Sequence, residues 1–71
     1  MSSVVQSPVV GTVWKVLIAV GDLVAKGDEV MILESMKMEI PVEAEVAGTV
    51  MAIAVAEGDP VGQGDTLATI E

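Results

Sequence analysis

One six-residue run near the middle of the chain has side chains suited to covalent chemistry. The run Glu34-Ser35-Met36-Lys37-Met38-Glu39 places one primary amine between two thioethers, with a carboxylate at each end. A lysine amine on its flexible stem can be acylated, and unbranched methionines offer a partner an adaptable apolar surface. A single surface lysine is ordinarily only a solvated charge, so the interest of Lys37 depends on the whole run. The opposing interpretation is that Met36 and Met38 fill the core.

The rest of the chain offers little that could catalyse a reaction. It contains neither Cys nor His, which removes thiolate nucleophiles, imidazole bases and the usual zinc sites. The serines therefore have no histidine partner. The Gly-Asp pairs lack the ordered oxygen ligands of a calcium loop and are interpreted as turns. We expect no catalytic residue and no metal site, so that the chain would be a substrate of enzymes.

Length and charge narrow the classes of partner. The chain has 71 residues, which fits one domain over 1–71, and 3 Lys plus Arg against 11 Asp plus Glu give a formal charge of −8. Such a charge repels a nucleic-acid backbone and suits a basic partner surface. No apolar run reaches the roughly 18 to 20 residues of a membrane span, and the first residues lack a secretory signal. We expect a cytoplasmic protein, monomeric in isolation, with no membrane or nucleic-acid partner.

A gapless internal repeat organises the chain into halves at about 9–34 and 46–71. Gly11-Thr12-Val13 recurs as Gly48-Thr49-Val50, and Gly27-Asp28 recurs as Gly64-Asp65. Each half has two Gly-Asp turn signals around short apolar stretches, which favours short β-strands over helices. Two half-domains that cannot bury their apolar faces alone would pack together. The repeat therefore predicts an all-β fold of two antiparallel sheets related by a pseudo-twofold axis.

Period-two alternation predicts which residues share a face of each strand. In the segment Val42-Glu43-Ala44-Glu45-Val46 both glutamates are expected to face water. The alternation groups Trp14, Val16 and Ile18 against Lys15, Leu17 and Ala19 in the first half, and Met51, Ile53 and Val55 against Ala52, Ala54 and Ala56 in the second.

The segment that joins the halves, roughly 35–47, is unique and contains Lys37. Pro41 has no N–H to donate and belongs at the start of a strand or on an edge strand. The run around Lys37 has no Gly, Asn or Pro, so local chemistry allows a helical turn as well as a hairpin. The residues alone leave both open.

The run Glu34-Ser35-Met36-Lys37-Met38 resembles the attachment motif of biotinyl domains, usually Glu-Ala-Met-Lys-Met, and the repeated Gly-Thr-Val and Gly-Asp elements extend this resemblance over nearly the whole chain. It implies the biotinyl/lipoyl-carrier fold, a flattened barrel-sandwich of two four-stranded antiparallel sheets with an attachment hairpin at about 34–41. It also implies that biotin is the cofactor and is attached covalently to Lys37. The resemblance further implies that the ligase recognises the residues around Lys37, namely Glu34, Ser35, Met36, Met38 and Glu39.

The resemblance implies three partners. A biotin-protein ligase would modify Lys37 through a biotinyl-adenylate, and the biotin arm would then shuttle a carboxyl group between biotin carboxylase and carboxyltransferase subunits. Ser35 stands where the motif usually has Ala, and the equal repeats leave no room for the thumb loop of some carriers. The chain is therefore most similar to thumbless carriers and to free-standing biotin/lipoyl attachment proteins, or to a domain excised from a longer chain.

Two other functions stay open from the sequence. A lipoyl carrier would use the same fold, although its lysine usually lies in an Asp-Lys-Ala context that this chain replaces with Met-Lys-Met. An unmodified adaptor module would use the fold without any cofactor, but such a role gives no reason for methionines on both sides of Lys37.

Overall fold

The computed structural model describes residues 2–71, which form eight β-strands and no helix. No helix in this part of the chain could therefore cross a membrane. All strand pairs are antiparallel, and they form two four-stranded sheets, as predicted. The strands are β1 Ser3–Gln6, β2 Gly11–Val16, β3 Leu23–Val24, β4 Glu29–Ser35, β5 Met38–Glu43, β6 Gly48–Ile53, β7 Pro60–Val61 and β8 Thr66–Ile70.

The two sheets are repeat equivalents of each other. Sheet I has the strand order β1-β8-β6-β3 and sheet II the order β5-β4-β2-β7. The repeat makes β1 equivalent to β5, β2 to β6, β3 to β7 and β4 to β8. Replacing each strand of sheet I by its equivalent gives the strand order of sheet II. When β1 is counted with the first half and β5 with the second, each sheet takes two strands from each half of the chain. The halves therefore interlock, and neither supplies all four strands of a sheet.

Four tight turns share one construction around the repeated Gly-Asp pairs. In the turn Ala19–Asp22, the Asp22 amide donates to the Ala19 carbonyl oxygen at 3.0 Å, and the Asp22 carboxylate accepts from the Ala19 amide at 2.8 Å. Gly21 has a φ of 98°, and this sign of φ at the third position is what a type II turn requires. The interpretation of these pairs as turn residues is confirmed. The other three turns are 25–28, 56–59 and 62–65.

β-bulges at equivalent places in β2 and β6 change the predicted alternation. Val13 pairs with Leu33 and Lys15 with Ile32, so Trp14 is an extra residue in its strand, and Met51 is the equivalent residue in β6. The grouping of Trp14 and Met51 with the inward residues is wrong, because the bulge shifts the phase of the alternation and leaves both exposed. Beyond the bulges the alternation holds, and the residues packed against the core include Val16, Ile18, Ile53 and Val55.

A second pair of bulges adds buried side chains to the core. Val30 in β4 and Leu67 in β8 are extra residues in their ladders, and each is fully buried together with the residue after it. Consecutive side chains therefore point inward at these two places, which a regular strand does not allow. The buried apolar side chains are Val5, Val13, Val24, Val30, Met31, Leu33, Val42, Ala44, Val50, Val61, Leu67, Ala68 and Ile70.

The strand that follows the candidate site is the edge strand of sheet II. Pro41 lies within β5 and is exposed, so the edge position is as predicted, although Pro41 does not start the strand. Glu43 and Glu45 face solvent while Val42 and Ala44 are buried, in agreement with the alternation. The edge position allows a residue without an N–H in the middle of a strand.

Candidate attachment hairpin

The central run forms a β-hairpin with a loop of two residues. Strands β4 and β5 pair from Glu29 and Glu43 up to Ser35 and Met38, which leaves only Met36 and Lys37 between them. Both loop residues have positive φ, 53° and 66°, which is the requirement of a type I′ hairpin turn. The alternative of a helical turn, which local chemistry left open, is wrong. The long ladder below the loop decides the conformation, because the loop must close two paired strands.

The backbone of this loop is strained. Residues other than glycine rarely adopt positive φ, and the left-handed conformation costs roughly 1–2 kcal/mol for each residue with a Cβ. Asn-Gly is the usual sequence for such a loop, whereas this chain has Met36-Lys37. Strain of this kind persists only where the surrounding structure holds it, and it is concentrated at functional sites.

The side chains of the loop protrude into solvent. Met36 is 92% exposed and Met38 is 64% exposed, and Lys37 is also exposed. The interpretation that the two methionines fill the core is therefore wrong. The tip of the hairpin presents one amine between two thioether side chains. All three groups are accessible to a partner without any movement of the rest of the domain.

The base of the hairpin is attached to the chain before β2. The Ser35 hydroxyl donates a hydrogen bond to the Val10 carbonyl oxygen at 2.7 Å. Gly11 lies so close that a Cβ on it would overlap the Glu34 carbonyl oxygen and lie 3.2 Å from the Ser35 Cβ. Val10 and Gly11 were not predicted as parts of this site. The recurrence of Gly11 as Gly48 was a signal, since Gly48 makes the equivalent close approach to Glu71.

Two carboxylates lie side by side below the tip. Glu34 and Glu39 are directly paired across β4 and β5, and both are exposed. Like charges at paired positions destabilise a sheet by a few tenths of a kcal/mol. Because side chains alternate between faces, Ser35 and Met38 lie on the other face of the hairpin. The structure thus brings together all six residues singled out by sequence, with the acidic pair on one face.

The donor chemistry of the hairpin fits a group attached through one covalent bond. The exposed Lys37 amine can form an amide, and the two neighbouring methionines leave it accessible. Within residues 2–71 no group of three or more Asp or Glu side chains is arranged to hold a metal ion. A group joined by one amide bond would be held by the Nζ atom of Lys37 alone.

These features define a class of protein, the small β-sandwich domains that present a lysine for attachment of a prosthetic group. The family model described as "Biotin-requiring enzyme" (Biotin_lipoyl) matches residues 3–70, and the chain belongs to that family. Its family makes it a biotin-carrier domain.

Comparisons with individual proteins agree with this assignment. The chain is 62% identical over 34 residues, 48% of its length, to the "Biotin/lipoyl attachment protein" of Bacillus subtilis (strain 168). It is 50% identical over 44 residues, 62% of its length, to "Biotinylated protein TB7.3" of Mycobacterium tuberculosis (strain H37Rv). In the crystal structure of the Kluyveromyces lactis urea carboxylase, a region covering all of this chain superposes with a TM-score of 0.94 at 41% identity.

The matched regions are only parts of these proteins. They span 47% of the Bacillus protein, 62% of the mycobacterial protein and 6% of the urea carboxylase chain. The comparisons therefore assign the family and the fold.

Proposed function

We propose that Lys37 is the biotin attachment residue of this domain. The observation that carries the proposal is the exposed Lys37 amine at the tip of a strained hairpin, between two exposed methionines, in a chain of the "Biotin-requiring enzyme" family. Lys15 and Lys26 are also exposed, but neither lies between methionines or on a hairpin loop. Of the three lysines in the chain, Lys37 has the surroundings expected of a modified residue.

The modification is the acylation of a primary amine. The ligase activates the carboxyl group of biotin as an adenylate, and the unprotonated Nζ of Lys37 attacks the carboxyl carbon. The new C–N bond forms as the C–O bond to AMP breaks, and the nitrogen loses a proton. Met36 and Met38 provide the apolar surface on which the ligase packs while the amine enters its active site.

The modified domain acts as a carrier without catalysis of its own. When bound, biotin carries a carboxyl group, and this chain supplies a rigid base from which the arm reaches a biotin carboxylase site and then a carboxyltransferase site. Tethering replaces free diffusion by a high effective concentration, on the order of millimolar for short flexible links. The urea carboxylase region that superposes on this chain supports a carboxylase as the setting. A cytoplasmic location and a monomeric state remain predictions.

Mass spectrometry of the intact protein and its peptides tests the proposal. The chain is expressed with a biotin-protein ligase and excess biotin, and we expect the mass to rise by one biotin less one water on Lys37. Lys37→Arg should abolish this gain without unfolding the domain, because the side chain is exposed. Lys26→Arg is the matched control and should be labelled normally. Labelling that persists in Lys37→Arg would contradict the assignment.

A lipoyl carrier is the second candidate, because the name of the Bacillus relative includes both groups. Parallel incubation with a lipoate ligase and lipoate distinguishes the two. We expect biotin on Lys37 at a much higher rate, and preferential lipoylation would reverse the assignment. A protein that both ligases leave unmodified, while it binds a partner tightly, would favour the adaptor function.

A further inference from the structure

The charges of the domain are distributed unequally between the two sheets. Over their described residues, the four strands of sheet I contain no Asp, Glu, Lys or Arg, although the chain has a formal charge of −8. Sheet II is the repeat equivalent of sheet I and therefore has the same backbone plan. Its strands nevertheless contain five charged residues, Lys15, Glu29, Glu34, Glu39 and Glu43.

The outer face of sheet I combines this lack of charge with exposed apolar side chains. Val4, Leu23 and Met51 are all exposed there. Leu23 pairs with Thr49, and the Gly21 amide donates to the Val50 carbonyl oxygen at 2.8 Å. These two contacts place Val20, at the corner of its turn, next to Met51. We call Val20, Leu23, Thr49 and Met51 the neutral face.

Three charged residues border the neutral face: Asp22 adjoins Leu23, Lys26 follows β3, and Glu71 lies beside Thr49. The Asp22 carboxylate is turned away to the Ala19 amide at 2.8 Å. Glu71 is bonded through its backbone to Thr49, with both bonds 2.8 Å long. The face is therefore an apolar centre with a mainly acidic border.

The second half of the chain shows that the fold does not require these apolar residues. The turn 56–59 repeats the turn 19–22 with the same hydrogen bonds, and it has Glu57 in place of Val20. Pro60 occupies the position equivalent to Leu23. Yet Leu23 is 82% exposed and Val20 is 63% exposed. Large apolar side chains so exposed, where the same backbone accepts polar or smaller ones, indicate a surface that another molecule covers.

We propose that the neutral face is a docking surface for a protein partner. The partner is the carboxylase component that holds the carrier while Lys37 visits an active site, so this inference rests on the proposed function. The matching surface has an apolar centre and a basic or neutral rim. Because the centre of the contact has no charge on the carrier side, docking depends mainly on apolar burial and only weakly on salt. No residue of the attachment hairpin lies on the neutral face, so docking leaves the arm free to swing.

Charge argues against a second copy of the chain, and against a membrane, as the molecule that covers the neutral face. Two copies of a chain with a formal charge of −8 repel each other, and the β3 edge offers only two residues for strand pairing. The formal charge of −8 would repel an anionic membrane surface as well. A protein surface is the occupant that remains compatible with an uncharged centre and a mainly acidic rim.

Exchange of residues between the repeats gives variants that the fold should accept. V20E/L23P installs the residues of the second half on the neutral face, where the equivalent backbone already holds them. E57Q/P60L is the matched control at the equivalent positions, and Gln keeps an acceptor for the Val16 amide, to which the Glu57 carboxylate bonds at 3.1 Å. Circular dichroism and thermal unfolding verify that both variants fold.

The test uses each variant after complete biotinylation, verified by intact mass. Purified carrier-free biotin carboxylase and carboxyltransferase subunits from the organism that encodes the chain are the probes, and the carrier is the varied substrate. We expect V20E/L23P to raise KM for the carrier about tenfold at an unchanged kcat, which corresponds to about 1.4 kcal/mol of docking free energy. The control should stay within about twofold, and biotinylation by the ligase should be unaffected in both.

Four outcomes would overturn the inference. The first is an unchanged KM for the biotinylated V20E/L23P protein, and the second is an equal rise of KM in the control. The third is a slower ligase reaction that by itself accounts for the lower activity of V20E/L23P. The fourth is light scattering that shows a dimer only when the neutral face is intact. A wild-type chain that takes no biotin on Lys37 overturns the proposed function as well. The mass measurement separates that failure from a failure of docking.

Discussion

The Ser35 hydroxyl and the Val10 carbonyl oxygen, 2.7 Å apart, join the base of the attachment hairpin to the chain before β2. The two residues are 25 positions apart in sequence, so the bond links the hairpin to a separate part of the fold. The Ala that the attachment motif usually has at this position could not make this bond. The hydroxyl therefore gives this chain an additional restraint on the orientation of its hairpin.

Loss of that hydroxyl should destabilise the domain slightly. We expect Ser35→Ala to lower the free energy of unfolding by about 0.5–1.5 kcal/mol, measured by urea denaturation. Ser2→Ala is the control at an exposed serine and should have no effect. Biotinylation of Ser35→Ala should persist, because Lys37 and both methionines stay in place. Equal stability of Ser35→Ala and the wild-type chain would mean that water replaces the bond without loss.

Gly11 should tolerate no side chain. Gly11→Ala brings a Cβ into the Glu34 carbonyl oxygen, and we expect a loss of roughly 1–3 kcal/mol in unfolding free energy as the backbone shifts. Gly48→Ala is the matched variant, since its Cβ would lie 2.8 Å from the Glu71 carbonyl oxygen. Both should unfold more easily, but only Gly11→Ala distorts the base of the hairpin.

Kinetics of biotinylation separate the two glycine variants. We expect a lower kcat/KM of the ligase for Gly11→Ala than for Gly48→Ala, measured at a temperature where both are folded. Equal rates would show that the ligase does not depend on the orientation of the hairpin base.

Much of the fold could be predicted because the repeat restricts it so strongly. The recurrence of Gly21-Asp22 as Gly58-Asp59 implied equivalent turns, and the short apolar stretches between turns had room only for strands. The structure has those turns with closely similar hydrogen bonds in both halves. The two-sheet arrangement followed because neither half has enough strands to bury its own apolar face.

The parts that sequence did not predict depend on contacts between distant residues. A bulge adds one residue to a ladder, and period-two counting through Trp14 cannot detect it. The conformation of Met36-Lys37 is opposed by local preference and is imposed by the paired strands below it. The bond from Ser35 to Val10 joins segments that become neighbours only after folding.

The paired glutamates below the tip should cost stability. We expect Glu39→Gln to raise the free energy of unfolding by about 0.2–1 kcal/mol at low salt, because it removes the repulsion from Glu34. The gain should shrink in high salt, which screens exposed charges. Glu45→Gln is the control, since Glu45 is exposed and lies outside the strands. A gain of the same size in the control would attribute the effect to net charge and not to the pair.

The strain in the loop leads to the last prediction. Asn adopts positive φ more readily than Met, so Met36→Asn should relieve part of the roughly 1–2 kcal/mol that the left-handed conformation costs. We expect unfolding by urea to require about 0.5–1 kcal/mol more free energy. Met38→Asn is the control, because Met38 lies in β5 outside the two positive-φ residues and Asn is a poor strand residue; its stability should fall or stay the same.

The same variant separates the two roles of Met36. If the Met36 side chain contacts the ligase, Met36→Asn should be more stable than the wild-type chain and yet be biotinylated with a lower kcat/KM. Met36→Leu keeps an apolar side chain of similar size without relieving strain, so it should retain most of the ligase rate at wild-type stability. A Met36→Asn protein that is both more stable and biotinylated at the wild-type rate would mean that the exposed thioether has no part in ligase binding, and the apolar contact would then have to come from Met38.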